Sequence, residues 1–315
     1  MKGSSKKAIY AALFGNLAIA ISKLIATIFT GSTAMLAETF HSFSDTSNQL
    51  LLLLGIKTSK KAASERHPFG YGKDRFFWSF IVATMLFGIS GILSFQHGIG
   101  DLLNLQVKHT IENVNLSYLI LLISACFEGY ALSIAFKFFK EAIKRQHKKI
   151  TLGNLFREFQ ESKDPALITV MVEDSAALLG IFIAGIGIFI SDLTKDSIYD
   201  SIASLAIGCV LMGFAFFLAK ENRALLIGEA ISKSEYNKII KVVKKIPEVK
   251  RIVSLRTMHF SPEDVLIAME VSVIDGLDTD EIGTVIDNIE AHIKKTIPYV
   301  NLSKIYIEIE RDNFR

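Results

Sequence analysis

Six stretches of this chain are long and apolar enough to cross a bilayer, and a backbone that must pair its polar groups inside hydrocarbon has few folds open to it. They are Ala8–Phe29, Ala34–Ile56, Phe76–His97, Leu116–Phe136, Ala166–Ile190 and Ser201–Ala219. Half of all residues are hydrophobic (50%) and mean hydropathy is +0.37, which excludes an ordinary soluble protein. The expected class is membrane α-helical, with six transmembrane helices. Glycines at close-packing intervals, Gly88 and Gly91, Gly180 and Gly187, Gly208 and Gly213, read as helix–helix contacts. Cys126 and Cys209 lie in apolar runs and read as small buried hydrophobes, not as a disulfide or a metal site.

The placement of basic residues sets the orientation. Lys2, Lys6 and Lys7 precede span one. Lys57, Lys60, Lys61, Arg66, Lys73 and Arg75 follow span two, and a basic run from Lys137 to Lys163 follows span four. The alternate loops are poor in Lys and Arg, so both termini are expected in the cytoplasm. The run after span four reads as a solvated helix near anionic lipid. No cleavable signal peptide is evident, since the first apolar run outlasts a signal h-region. With a short basic tail before span one, the expected membrane is a bacterial inner membrane.

From about Lys220 the pattern changes. Ser234–Lys245 and Thr279–Ile297 read as amphipathic helices, the second capped by Asp278 or Thr279. Val249–His259, Val265–Ile274 and Lys304–Glu310 read as strands, with a turn at Ser261-Pro262-Glu263-Asp264. The order α-β-β-α-β implies a small cytoplasmic α+β domain. Residues 1–219 are thus expected to form the six-helix membrane domain and residues 220–315 a regulatory or dimerisation domain.

The polar residues inside the spans carry the chemistry, because charges in hydrocarbon face a partner, a cavity or a cargo. His41 and Asp45 lie four apart on span two, on one helical face, with Asn48 one turn further. One imidazole and one carboxylate suit zinc and other divalent transition ions. Span five adds Glu173 and Asp174, which sit about 100° apart on a helix and cannot both point into one small site. Asp174 is the expected ligand. Glu173 is a second choice, as proton acceptor or salt-bridge partner. The alternative is that both line a helix interface, paired with Lys23 or a hydroxyl. Lys23 itself snorkels or meets a polar partner. Glu38, one turn before His41, reads as an exit-path carboxylate or a solvated vestibule residue. Glu128, mid-way along span four, is expensive unless protonated or paired. Asp192, Asp196 and Asp200 read as a solvated outer loop.

On these residues the chain resembles the cation diffusion facilitators, and within them the zinc transporter 9-like branch. The likeness rests on Ala37–Gln49 (AETFHSFSDTSNQ), His67-Pro68-Phe69-Gly70, Glu161–Pro165, Glu173–Ala177 and Tyr199-Asp200-Ser201. It implies export of a divalent metal, zinc first, from the cytoplasm in exchange for protons, by a homodimer working by alternating access. No cofactor, enzymatic activity or nucleic-acid partner is implied. The transport site of the family uses two residues four apart on span two and two on span five, which carry over to His41, Asp45 and Asp174. The fourth position falls on Val170 where zinc-transporting members usually have His. The site then recruits Asn48, Glu173 or water, or its preference moves toward manganese, iron, cobalt or cadmium. A second metal site of some members, in the loop after span two, retains only His67, which reads as part of a turn. Glu308, Glu310, His259 and His292 offer no tight binuclear site in the cytoplasmic domain. Two readings from other classes stand beside export. One is a non-transporting membrane scaffold, kept open by Val170. The other is an intramembrane metallohydrolase, disfavoured by the lack of a His-Glu-x-x-His motif.

Overall fold

A computed structural model of the chain describes residues 4–103, 113–145, 155, 159 and 164–310. Most of the basic run after span four, and the Glu161–Lys163 part of the Glu161–Pro165 motif, lie outside the described residues. Six long helices form as expected. They are α1 (Ser4–Thr30), α2 (Thr33–Thr58), α3 (Asp74–Leu103), α4 (Val114–Arg145), α5 (Pro165–Thr194) and α6 (Ile198–Ile227). All but α2 qualify as membrane spans on length and apolarity alone. Glu38, His41, Asp45 and Asn48 dilute the hydropathy of α2, which is why the helix that holds the polar chemistry is the one that falls short.

The chain divides into two compact units, Met1–Ile56 with Phe77–Asn222, and Lys57–Phe76 with Arg223–Arg315. In the first, α5 packs extensively on α4, and α4 also on α1. Its apolar core draws Ile120 and Leu121 from α4, Ile181 and Ile188 from α5, and Ile207 and Leu211 from α6. Small residues set the tightest approach. A Cβ on Gly208 of α6 would lie 2.6 Å from the Phe95 backbone nitrogen of α3, and one on Gly98 of α3 would lie 2.7 Å from that of Leu205. Gly91, Gly180 and Gly187 are likewise close-packed, whereas Gly88 and Gly213 face open space. The thiols of Cys126 and Cys209 are free and exposed. This corrects the expectation of buried cysteines: both lie on outward helix faces, where a membrane protein presents apolar groups to lipid.

The α1–α2 corner depends on a distant residue. Gly31 takes φ 66°, the left-handed conformation that ends a helix, and its N–H closes on the Thr27 carbonyl at 2.9 Å. The free amino end of α2 is then capped by Asp200 of α6. The Asp200 carboxylate accepts the Ser32 hydroxyl (2.8 Å), the Thr33 N–H (2.6 Å) and hydroxyl (3.0 Å), and the Ala34 N–H (3.4 Å). Asp200 is buried. The expectation of a solvated loop residue is therefore corrected for Asp200. Asp192, by contrast, is half-buried and pairs with the exposed Lys195 at 2.7 Å.

In the second unit the order α-β-β-α-β is observed as α7 (Lys233–Val243), β1 (Val249–Ser261), β2 (Asp264–Val273), α8 (Thr279–Thr296) and β3 (Ile305–Glu310). Antiparallel β1–β2 turns at Ser261 and Asp264. Strand β3 returns parallel to β2, which the helical crossover between them makes possible, giving the order β1-β2-β3. Capping boxes start both helices, Ser232 with Glu235 and Asp278 with Glu281. Ile239 and Val243 of α7 and Val285, Ile289 and Ile293 of α8 close over Val265, Ile267, Met269 and Val271 of β2.

The loop between α2 and α3 is built into this unit. His67-Pro68-Phe69-Gly70 forms the expected turn, with Gly70 N–H on the His67 carbonyl at 2.9 Å and Gly70 at φ 83°. Phe69 stacks on Phe260 of β1, ring centres 5.1 Å apart. Lys304 pairs with Asp264, donates to the Phe69 carbonyl at 2.9 Å, and lies 5.0 Å from the centre of the Phe260 ring. Lys73 reaches the Leu226 carbonyl near the end of α6 at 3.3 Å.

Candidate metal centre

The polar residues of α2 form a buried set. Glu38, His41 and Asn48 are fully buried and Asp45 nearly so. The helix tolerates its hydroxyls because they bond back to the preceding turn, Thr39 to Met35 and Thr46 to Ser42, at 2.8 and 2.9 Å. His41 Nδ1 lies 3.4 Å from Asp45 Oδ1, close enough for electrostatic attraction but not aligned as a hydrogen bond. Neither ring nitrogen of His41 has a hydrogen-bond partner, nor does Asp45 Oδ1. Such groups are expensive to bury and stand ready for a ligand.

On α5, Asp174 is buried with its Oδ2 unpartnered. Asp45 lies within electrostatic reach of Asp174, Glu173 and Glu128. Glu173 accepts the Asn48 amide at 3.0 Å across the α2–α5 contact, while Asn48 Oδ1 is left without a hydrogen-bond partner. Val170, at the fourth position, packs with Ala135, Phe139 and Met171 in an apolar cluster and has no ligand chemistry to offer.

One expectation holds and another changes. Lys23 does meet a polar partner, and it is Glu38, at 2.7 Å with both side chains fully buried. Glu38 is accordingly not a solvated vestibule residue. Its other oxygen is packed against Gly180 of α5. The pairing of Lys23 with Glu173 or Asp174 is not formed. A span lysine fifteen residues before a span glutamate was the signal available for this contact.

Among the described residues no three His, Cys, Asp or Glu side chains are gathered at metal-binding spacing. His41, Asp45 and Asp174 are brought to neighbouring helices rather than to one point. In the second unit, His259 is buried against the Ser261 carbonyl (3.2 Å), His292 is exposed, and His67 lies tilted against Tyr71 with ring centres 4.4 Å apart.

Comparison with known proteins agrees in both units. Residues 9–227 match the cation efflux transmembrane domain, and residues 231–311 match the cytoplasmic domain of cation efflux proteins. The chain is 32% identical over 272 residues to the proton-coupled zinc antiporter SLC30A9, mitochondrial, of Xenopus laevis, covering 86% of this chain and 47% of that one. It is 29% identical over 259 residues to metal tolerance protein C4 of Arabidopsis thaliana, covering 82% and 55%. The chain thus spans about half the length of these relatives. Over 311 residues it is 22% identical to the uncharacterized transporter MJ0449 of Methanocaldococcus jannaschii, covering 97% and 98%.

Proposed function

The chain belongs to the cation efflux family, and from that premise we propose that it exports a divalent metal cation from the cytoplasm in exchange for protons, with zinc as the first candidate. The observation that carries the reading is the His41–Asp45 pair. It is buried in a membrane helix with its ring nitrogens and a carboxylate oxygen unpartnered, within electrostatic reach of Asp174. A proton and a metal ion compete for the same lone pairs, because a ligand must be deprotonated to bind. A site that alternates between the two faces of the membrane then couples the two fluxes without further machinery. His41, Asp45 and Asp174 hold the ion. Imidazole is suited to the exchange because its ordinary pKa is about 6.5. The cytoplasmic domain pairs two copies as a homodimer, and the membrane is a bacterial inner membrane with both termini in the cytoplasm.

Reconstitution in proteoliposomes with a pH-sensitive dye and a panel of Zn2+, Mn2+, Fe2+, Co2+ and Cd2+ tests this. Asp45→Ala is expected to abolish metal-driven proton flux, and unchanged flux sinks the site assignment. The scaffold alternative is kept open by Val170, which removes a ligand. Equal metal content in cells expressing the chain, cells expressing Asp174→Ala and empty cells decides for the scaffold.

A further inference from the structure

We infer that the lysine-bearing face of α7 is a docking surface for anionic phospholipid headgroups, those of the leaflet at which α6 ends. The inference stands on the cytoplasmic domain and is separate from the assignment of the metal centre.

Between Lys233 and Lys245 the chain carries five lysines, Lys233, Lys238, Lys241, Lys244 and Lys245, and all five are exposed. The acidic residue of this stretch, Glu235, is half-buried and already engaged. Its Oε2 accepts the Ser232 N–H (3.3 Å) and hydroxyl (2.9 Å), and its Oε1 accepts the Tyr299 hydroxyl at 2.7 Å. None of the five ammonium groups pairs with a carboxylate among the described residues. The solvent side of α7 is therefore uniformly positive.

Helix stability does not account for this pattern. Cations stabilise the carboxyl end of a helix and are disfavoured at its amino end. Helix α8 follows that rule, with Asp280 and Glu281 in its first turn and Lys294 and Lys295 in its last. Helix α7 instead begins on Lys233 and carries Lys238 mid-way along. Its apolar side is already occupied, since Ile239 and Val243 are buried in the core of the domain with Ile240 and Val242 packed against it. What α7 has left to offer a partner is charge, with no apolar face to insert.

The position of α7 in the chain selects the occupant. Five residues, Gly228–Ser232, join Ile227 at the end of α6 to Lys233. Such a link spans at most about 20 Å when fully extended, and α6 is a membrane span. The link is also held down. Ile231 N–H donates to Thr257 Oγ1 at 3.2 Å, and the Glu229 carbonyl accepts the His259 N–H at 2.9 Å. The lysines are thus tethered within a short reach of a headgroup surface. A cluster of about four to eight basic residues just after a span, or on an amphipathic helix, is the pattern that binds anionic lipid.

The test uses the full chain in lipid nanodiscs, made of phosphatidylcholine alone or of phosphatidylcholine mixed with phosphatidylglycerol. An uncharged amine-acylating reagent, read by mass spectrometry, reports each lysine. Acylation needs the neutral amine, and an anionic leaflet favours the ammonium by roughly fivefold per lysine. Labelling of the five lysines is expected to slow by about that factor in the phosphatidylglycerol discs. Molar salt, which shortens the screening length to about 3 Å, is expected to restore it. The double variant Lys238→Glu, Lys241→Glu changes only exposed positions and should abolish the slowing at Lys233 and Lys244. Equal labelling in the two kinds of disc overturns the inference. If it is slow in both, the face is covered by protein, such as a second copy; if it is fast in both, the face stays in water or serves a soluble acidic partner. Slowing that persists in the double variant overturns it as well. Metal-driven proton flux is not read in this experiment, so its failure leaves the export reading where it stands.

Discussion

The Asn48 amide of α2 donates to the Glu173 carboxylate of α5 at 3.0 Å, and both side chains are buried. This bond ties the two helices that carry His41, Asp45 and Asp174. Interhelical hydrogen bonds in a bilayer average about 0.6 kcal/mol, so the contribution to stability is small. Asn48→Ala should leave the unfolding midpoint of the purified chain nearly unchanged while slowing metal-driven proton flux. Asn48→Asp places a carboxylate against a carboxylate and should be worse on both counts. A flux equal to that of the parent chain for Asn48→Ala argues that the bond is only mortar between helices.

The Lys23–Glu38 pair calls for a different experiment. Removing one partner of a buried pair strands the other charge, a loss of about 3–5 kcal/mol, whereas removing both can be nearly neutral. Lys23→Met and Glu38→Gln should each destabilise the membrane unit strongly. The double variant should recover most of that loss, as read by thermal unfolding in detergent. Additive effects would show that the two residues act separately.

Asp200 binds the amino end of α2 as a cap supplied by another helix. Caps contribute roughly 0.5–2 kcal/mol, with a further gain from placing a negative group at the positive end of the helix dipole. Asp200→Ala should accelerate hydrogen exchange at the Thr33 and Ala34 amides, which lose their acceptor. Asp200→Asn, with one acceptor oxygen left, should fall between. Exchange that stays slow at both amides in Asp200→Ala would contradict the cap.

The α2–α3 loop should respond to changes at Phe260. Its stack with Phe69 is worth about 0.5–1.5 kcal/mol, and the Lys304 ammonium adds to the same ring. Phe260→Ala should speed tryptic cleavage after Lys60, Lys61 or Arg66, with little change at Lys244 or Lys245. Equal cleavage rates in parent and variant would mean that the loop is held by other contacts.

How much of this was legible in the sequence depends on the span of each interaction. His41 and Asp45 could be read because their relationship is local, four residues on one helix. The α-β-β-α-β tail could be read because alternation, amphipathic spacing and capping residues are local too. Asp200 sits in a motif that carried the family likeness, yet its partners Ser32, Thr33 and Ala34 are more than 160 residues away and nothing in its neighbourhood names them. Asn48 and Glu173 were each recognised as polar residues in costly positions. That the Asn48 amide meets Glu173 follows only from the packing of α2 on α5. The cysteines failed for a related reason: an apolar run says that a residue avoids water, not whether it faces lipid or protein.

Val170 tests whether the chemistry of the site follows its ligands. It lies one turn before Asp174 on α5, and its neighbours Ala135, Phe139 and Met171 leave an apolar niche. Val170→His adds a second imidazole at the position where the resemblance places one. A buried polar group without a partner costs roughly 1–3 kcal/mol, so the variant should be less stable without metal than Val170→Leu, which keeps the niche apolar. Zinc should return part of that stability, because a ligand that binds only the folded state shifts the midpoint upward. The proton-flux panel should move toward Zn2+ and away from Mn2+, since imidazole suits zinc better than it suits manganese. A Zn2+/Mn2+ ratio unchanged in Val170→His, with the protein folded, would mean that the side chain does not reach the ion. The oxygen-rich character of the site would then be set by the other helices.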